Sequence, residues 1–170
     1  MIDAYLPHYH YNEIHSKIIN APAAVIYTKL RHLNFHSSWI SRVLFKLRGL
    51  STKNMTFDRM VDNGSFFTMH EKENEEWIVG LLAESFKFAE TLQHGKNFKE
   101  WNPGSGVKIA WNFKLNGLAD NKVKVSTETR VQCLNRKTLL IFSVYWFFVR
   151  PFSGLIRLEM LRILKKECET

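Results

Sequence analysis

The last third of the chain, Lys137–Glu167, has the pattern of one long helix with a single proline, Pro151, in its middle. Its first half, Thr138–Val149, is TLLIFSVYWFFV and carries no charge, whereas its second half, Phe152–Cys168, is amphipathic. A helix of this length, closing a chain that has just run through strands, must lie across a sheet. The space between helix and sheet is then the candidate site. On a 3.6-residue wheel Phe142, Tyr145, Val149, Phe152, Ile156, Met160 and Ile163 form one stripe. The stripe keeps its phase through Pro151, which predicts one kinked helix rather than two unrelated ones. Glu159, Arg162, Lys165 and Lys166 gather on a solvated arc. Leu140, Val144, Phe147 and Phe148 cover the side opposite the stripe. A helix that is apolar all round is ordinarily covered on more than one side, so loops are expected over this face. The alternative is an exposed patch for a second copy, a membrane or a ligand entrance. The uncharged run is shorter than the roughly 20 residues a bilayer requires, so no integral membrane segment is expected.

The rest of the chain supplies the sheet. Residues 10–19 predict a first strand, and Asn20-Ala21-Pro22 turns into a helix with Ile26, Leu30 and Leu33 on one face. A second helix is expected at Ser37–Arg48 and a short third one at Thr56–Asn63, capped by Thr56 and stopped by Gly64. Ser65–Lys72 and Glu76–Ala83 flank the polar turn Glu73-Asn74-Glu75 as a hairpin. A further strand is expected within Phe86–Trp101, and Asn102–Gly106 reads as a loop. The best alternation follows. Val107, Ile109, Trp111, Phe113 and Leu115 share one face, and Val123, Val125, Thr127, Thr129, Val131 and Cys133 share another. Asn116–Asn121 joins them as an antiparallel hairpin with one apolar and one solvated side. The order predicts an α+β fold, with helices packed on one face of an antiparallel sheet, in a single domain spanning residues 1–170.

Composition narrows the function classes. Among the 170 residues, aromatics reach 14%, enough to fill a wide interior or line an apolar pocket. The net charge of +8 falls mainly in residues 1–50 and 101–150, and the acidic run Glu71–Glu76 interrupts it. No helix-turn-helix, zinc-finger or RNP-type signature accompanies the charge, so specific nucleic-acid binding is not expected. Cys133 and Cys168 have neither disulfide-framework nor metal spacing. The start, MIDAYLPHYHYNEIHS, lacks the apolar core of a signal peptide, and a reducing, cytoplasmic setting is expected. His32 and His36 stand four apart with no third ligand evident, so no metal is expected. No Gly-rich phosphate loop, GxSxG or CxxC is present, and no cofactor or complete catalytic constellation is visible.

Three pieces of the chain carry a family resemblance. They are Ile18-Ile19-Asn20-Ala21-Pro22 leading into Val25-Ile26-Tyr27, the strand Ser126–Val131, and Tyr145-Trp146 followed by Arg150–Arg157. With the element order, they make the chain resemble the helix-grip superfamily of START-like and pollen-allergen-like domains, also called SRPBCC. The last two pieces look like an uncharacterised branch within it. The resemblance covers nearly the whole chain. It implies a curved antiparallel sheet wrapped around the long C-terminal helix, with an apolar cavity between them. It then implies that the cavity walls are Trp77, Val79, Trp111, Phe113, Thr127, Thr129, Val131, Phe142, Tyr145 and Val149. Such walls suit a hydrophobic or amphipathic small molecule, a lipid among the candidates, with Thr127, Thr129 and Tyr145 orienting its polar end. A filled core has the same composition. Two other classes stand beside this one. One is an interaction protein using the outer helix face for a homodimer or a membrane, and the other is a cyclase- or dehydratase-like enzyme. Glu128 and Arg130 share the face opposite Thr127 and Thr129, so the register assigns them to the outer side of the sheet.

Overall fold

In the computed structural model, the described residues are 1–34, 56–62, 66–84, 87–88 and 98–169. The elements are β1 (Tyr11–Ile19), α1 (Ala23–Arg31), α2 (Phe57–Asp62), β2 (Phe67–Lys72), β3 (Glu76–Glu84), β4 (Lys87–Phe88), β5 (Val107–Gly117), β6 (Val123–Cys133) and α3 (Arg136–Cys168). The architecture is α+β, an antiparallel sheet against one long C-terminal helix, in the helix-grip arrangement. The helix expected at Ser37–Arg48 and most of the stretch expected to hold a strand within Phe86–Trp101 lie outside the described residues.

Among the described residues the sheet has six strands, in the order β1-β6-β5-β3-β2 with β4 on β3. Neighbours in chain order form the β2–β3 and β5–β6 hairpins, and their turns contain the side chains best suited to them. Asn74, Asp120 and Asn121 all have positive φ, a conformation that Asn and Asp tolerate better than most residues. The β5–β6 register runs unbroken from Val107↔Cys133 to Gly117↔Val123, as the alternation predicts. The β1–β6 register then pairs Glu13 with Thr129 and His15 with Thr127. This places Tyr11, Glu13, His15, Lys17 and Ile19 of β1 on the same side as the inward residues of β6.

The outer side of the sheet is also covered. Ile2 and Leu6, from the start of the chain, pack with Leu82, Phe98 and Ala110. Arg130 lies on this side, bonded to Glu128 (2.7 Å), Asp3 (2.8 Å) and the Leu6 carbonyl (3.0 Å), with its guanidinium over the Tyr9 ring. Burial works against the Arg130 charge, but Glu128 and Asp3 more than offset it and hold the guanidinium above its ordinary pKa. The Arg130 guanidinium in turn holds Asp3 below the usual carboxylate range.

Helix α3 is continuous through Pro151. Asn135 caps it, accepting from the Thr138 amide at 2.7 Å and donating to the Gly104 carbonyl at 2.7 Å. Thr138 Oγ1 accepts from the Gly106 amide, so the helix start is tied to the loop before β5. Gly106 has φ +113°, and an added Cβ would stand 2.4 Å from the Ala83 carbonyl oxygen, so this tie needs glycine.

The buried side of α3 departs from the apolar stripe. Phe142, Ile156, Met160 and Ile163 are buried as predicted, but Tyr145 and Phe152 are exposed. Ser153, Gly154, Arg157, Leu161 and Leu164 are buried in addition. The helix is therefore turned by roughly 50° from the stripe, on a geometry of 100° per residue. The cause is local. At Gly154 the helix crosses β1 so closely that a Cβ would lie 2.6 Å from Glu13 Oε1 and 3.5 Å from His15 Nε2. Small Ser153 and Gly154 allow this approach, and a wheel scored on apolar residues cannot see it. Glu159, assigned to the solvated arc, is buried and bonded to Arg162 through both carboxylate oxygens at 2.7 Å. Among the described residues nothing supplies the loop cover expected over Leu140, Val144, Phe147 and Phe148: these side chains are 63–75% exposed.

Candidate functional site

The interior between sheet and helix divides into two apolar bodies with a polar belt between them. One body lies under the C-terminal half of α3 and joins Ile156, Met160 and Leu164 to Trp77, Trp111, Phe113, Ile26 and Leu30. The other lies under its N-terminal half, where Phe142 packs on Leu81, Val131 and Cys133, flanked by Tyr11 and Trp146. Both come from the same alternation. Val123, Val125, Val131 and Cys133 of β6 serve the ends, and Thr127 and Thr129 interrupt the row in the middle.

Arg157 occupies that interruption from the helix side. Its Nε and Nη2 donate to Thr129 Oγ1 at 3.1 and 2.6 Å. Nη1 donates to the Ser153 carbonyl at 3.1 Å and to the Ser153 hydroxyl. The guanidinium stands 5.2 Å from the Trp111 ring centre, a cation–π distance. Glu13 closes the belt from β1. Its Oε2 lies 3.5 Å from Arg157 Nη1 and accepts no hydrogen bond among the described residues, while Oε1 lies 3.2 Å from His15 Nε2. Next along β6, Thr127 Oγ1 accepts from Trp111 Nε1 at 2.5 Å. The belt thus brings a cation, a carboxylate, an imidazole and three hydroxyls together inside otherwise apolar walls.

The residues assigned to the cavity walls are mostly inward. Trp77, Val79, Trp111, Phe113, Thr127, Thr129, Val131 and Phe142 are all buried, and Val149 is half-buried. Tyr145 is not inward: it is 42% exposed, its ring touching Phe142 from outside. Thr127 is already engaged by Trp111. The polar groups with the greatest capacity here, Arg157, Glu13, His15 and Ser153, were not among the residues assigned to the walls. One signal for Arg157 was present. At 100° per residue it falls about 40° from Ser153 and about 80–180° from Lys165 and Lys166. Glu128 and Arg130 are on the outer face, away from this belt. Of the histidines, His10 Nδ1 accepts from the Cys133 amide and His32 Nδ1 stands 3.4 Å from Asp58; His36 lies outside the described residues. Among the described residues, no three His, Cys, Asp or Glu side chains gather to hold a metal. Burial pushes the Cys133 thiol up to about 11, and Cys168, also chiefly through burial, up to about 11.

No family model matches the chain, and no curated protein matches it either. Among solved structures it is similar to a conserved protein from Geobacillus kaustophilus, at 11% identity and a TM-score of 0.46, over 93% of this chain and 95% of that one. It is similar to a protein from Nitrosospira multiformis at 12% identity and a TM-score of 0.44, over 93% and 96%. It is also similar to an aromatase/cyclase from a Streptomyces species, at 10% identity and a TM-score of 0.33, over 94% and 93%. At these values the likenesses bear no weight for activity, and the fold assignment rests on the strand order and the helix themselves.

Proposed function

We propose that the space under α3 receives a hydrophobic or amphipathic small molecule, lipid-like, with an oxygen-bearing end held by Arg157. The observation that supports this is the charged belt inside the apolar interior. Desolvating a guanidinium costs several kcal/mol even when it is paired, and apolar side chains of equal volume would fill the same space at no such cost. Glu13 Oε2 stands 3.5 Å from Arg157 Nη1. A ligand carboxylate or carbonyl reaching Arg157 and Thr129 would gain charge-assisted hydrogen bonds in a low-dielectric site. The two apolar bodies on either side would desolvate the rest of the molecule at about 25 cal/mol per Å². In this scheme Arg157 and Thr129 replace the orienting role first assigned to Thr127, Thr129 and Tyr145.

Titration with a fluorescent fatty acid tests the proposal. Saturable binding is expected, with Arg157→Met weakening it by about tenfold, the equivalent of one good polar contact. Equal binding by Arg157→Met, or no saturation by the parent, would sink it.

One observation favours a second reading, an enzyme of cyclase or dehydratase type. Glu13 and His15 form a carboxylate–imidazole pair under the helix, the combination general acid–base catalysis uses. Incubating protein with the compounds that copurify from its host, and following loss of water by mass, separates this reading from simple binding. No turnover by the parent would remove this reading, and turnover that persists in His15→Gln would remove the role of the Glu13–His15 pair.

A further inference from the structure

The side of α3 turned away from the sheet is a feature that the interior site leaves unused. From Leu140 to Leu158 it presents large apolar side chains to solvent. Phe147 is 75% exposed, Leu140 70%, Phe148 64% and Val144 63%, and Leu155 and Leu158 continue the face. At 1.5 Å per residue this band is about 27 Å long. The helix is long and apolar enough to cross a membrane by length and composition alone. Its opposite side is already committed, since Phe142, Ile156, Met160 and Leu164 are built into the sheet's two apolar bodies. A helix held in this way can enter a bilayer only along its length, by laying its free face on the surface.

We infer that this face docks on an anionic membrane surface. Charge selects that occupant. No Asp or Glu occurs between Glu128 and Glu159, so the band and its amino end carry only the cations Arg136, Lys137 and Arg150. Lys137 and Arg162 lie on the same face as the band, one beyond each end. Beside the carboxyl end runs an open groove of about 300 Å³ lined by Lys17, Leu155, Leu158, Leu161 and Arg162 among others. Of the acids near that end, Glu159 is paired with Arg162 and Glu169 with Lys165 and the Asn20 amide, while Glu167 is half-buried. The chain as a whole is at +8. Anionic head groups would meet these cations while the phenylalanines and leucines enter the acyl boundary. A second copy of the chain would bring the same cations and no carboxylate in the band to answer them.

Flotation of the full chain with vesicles tests this. With phosphatidylcholine containing 30% phosphatidylserine at low salt, flotation is expected. Phosphatidylcholine alone or 0.5 M NaCl should reduce the floated fraction several-fold. Phe147→Glu with Phe148→Glu should abolish it while leaving the circular dichroism spectrum and the fatty-acid titration unchanged. Lys137→Ala with Arg136→Ala, which leaves the apolar face intact, should weaken flotation on anionic vesicles only. A parent that stays at the bottom of the gradient overturns the inference, as does flotation indifferent to lipid charge. Light scattering that shows a dimer split by the Phe147/Phe148 variant also overturns it, in favour of a second copy on this face. Because these variants leave Arg157 untouched, failure here is distinct from failure of the interior site.

Discussion

Replacing Arg157 by methionine is the change from which the structure predicts most. Methionine keeps the unbranched stem and part of its packing, so the loss is that of the head group. That head donates two hydrogen bonds to Thr129 and two to Ser153, lies over Trp111, and stands 3.5 Å from Glu13. Removing one member of a buried ion pair costs about 3–5 kcal/mol, because the other charge stays behind uncompensated. Glu13 keeps His15 at 3.2 Å, which places the expectation at the low end, about 3 kcal/mol. At this chain length that corresponds to a melting temperature lower by roughly 6–12 °C. Urea unfolding should show a lower midpoint with an unchanged slope. Glu13→Gln made in the Arg157→Met background should be milder than in the parent, with a coupling of about 1–2 kcal/mol. A loss below about 1 kcal/mol, or strict additivity of the two changes, would show that the belt is not an energetically connected unit and would refute the reasoning.

Three further outcomes follow from the geometry. Burial raises the Cys133 thiol to about 11, so the unfolded chain deprotonates first as pH rises from about 9. This contribution is complete below the ordinary thiol range and lost towards pH 11. Cys133→Ala should therefore flatten the alkaline decline in stability by up to about 2–3 kcal/mol, measured by urea midpoints across that window. Gly106→Ala combines a forbidden φ with a Cβ placed 2.4 Å from the Ala83 carbonyl oxygen, and should cost about 3 kcal/mol or more in thermal unfolding. Asn135→Ala removes the cap of α3 and its bond to Gly104, and a loss of about 1 kcal/mol is expected in the same assay.

Strand patterning made the sheet legible because β5 and β6 alternate over their whole length and one face is plainly apolar. The same logic fails on β1. There the apolar residues Ile14 and Ile18 point outward and are exposed, while Glu13 and His15 point under the helix. Pairing with β6, not the strand's own alternation, decides its faces. The helix shows the complementary failure. A wheel weighted by apolar residues favours Tyr145 and Phe152, whereas contact is governed by the small pair Ser153-Gly154 and by Arg157, whose partners lie far away in sequence. The segment covering the outer face, anchored by Ile2 and Leu6, is too short to show any period. The polar belt was hidden for a common reason: each member looks like a surface residue until strand register and helix rotation bring them together.

Native mass spectrometry of the protein purified gently from its own host tests the central claim most directly. A bound species of lipid-like mass, with an oxygen-bearing end, is expected in the parent and is expected to be depleted in Arg157→Met. A parent at the bare chain mass, under conditions that retain weakly bound lipids, would contradict the claim that the interior is a binding site.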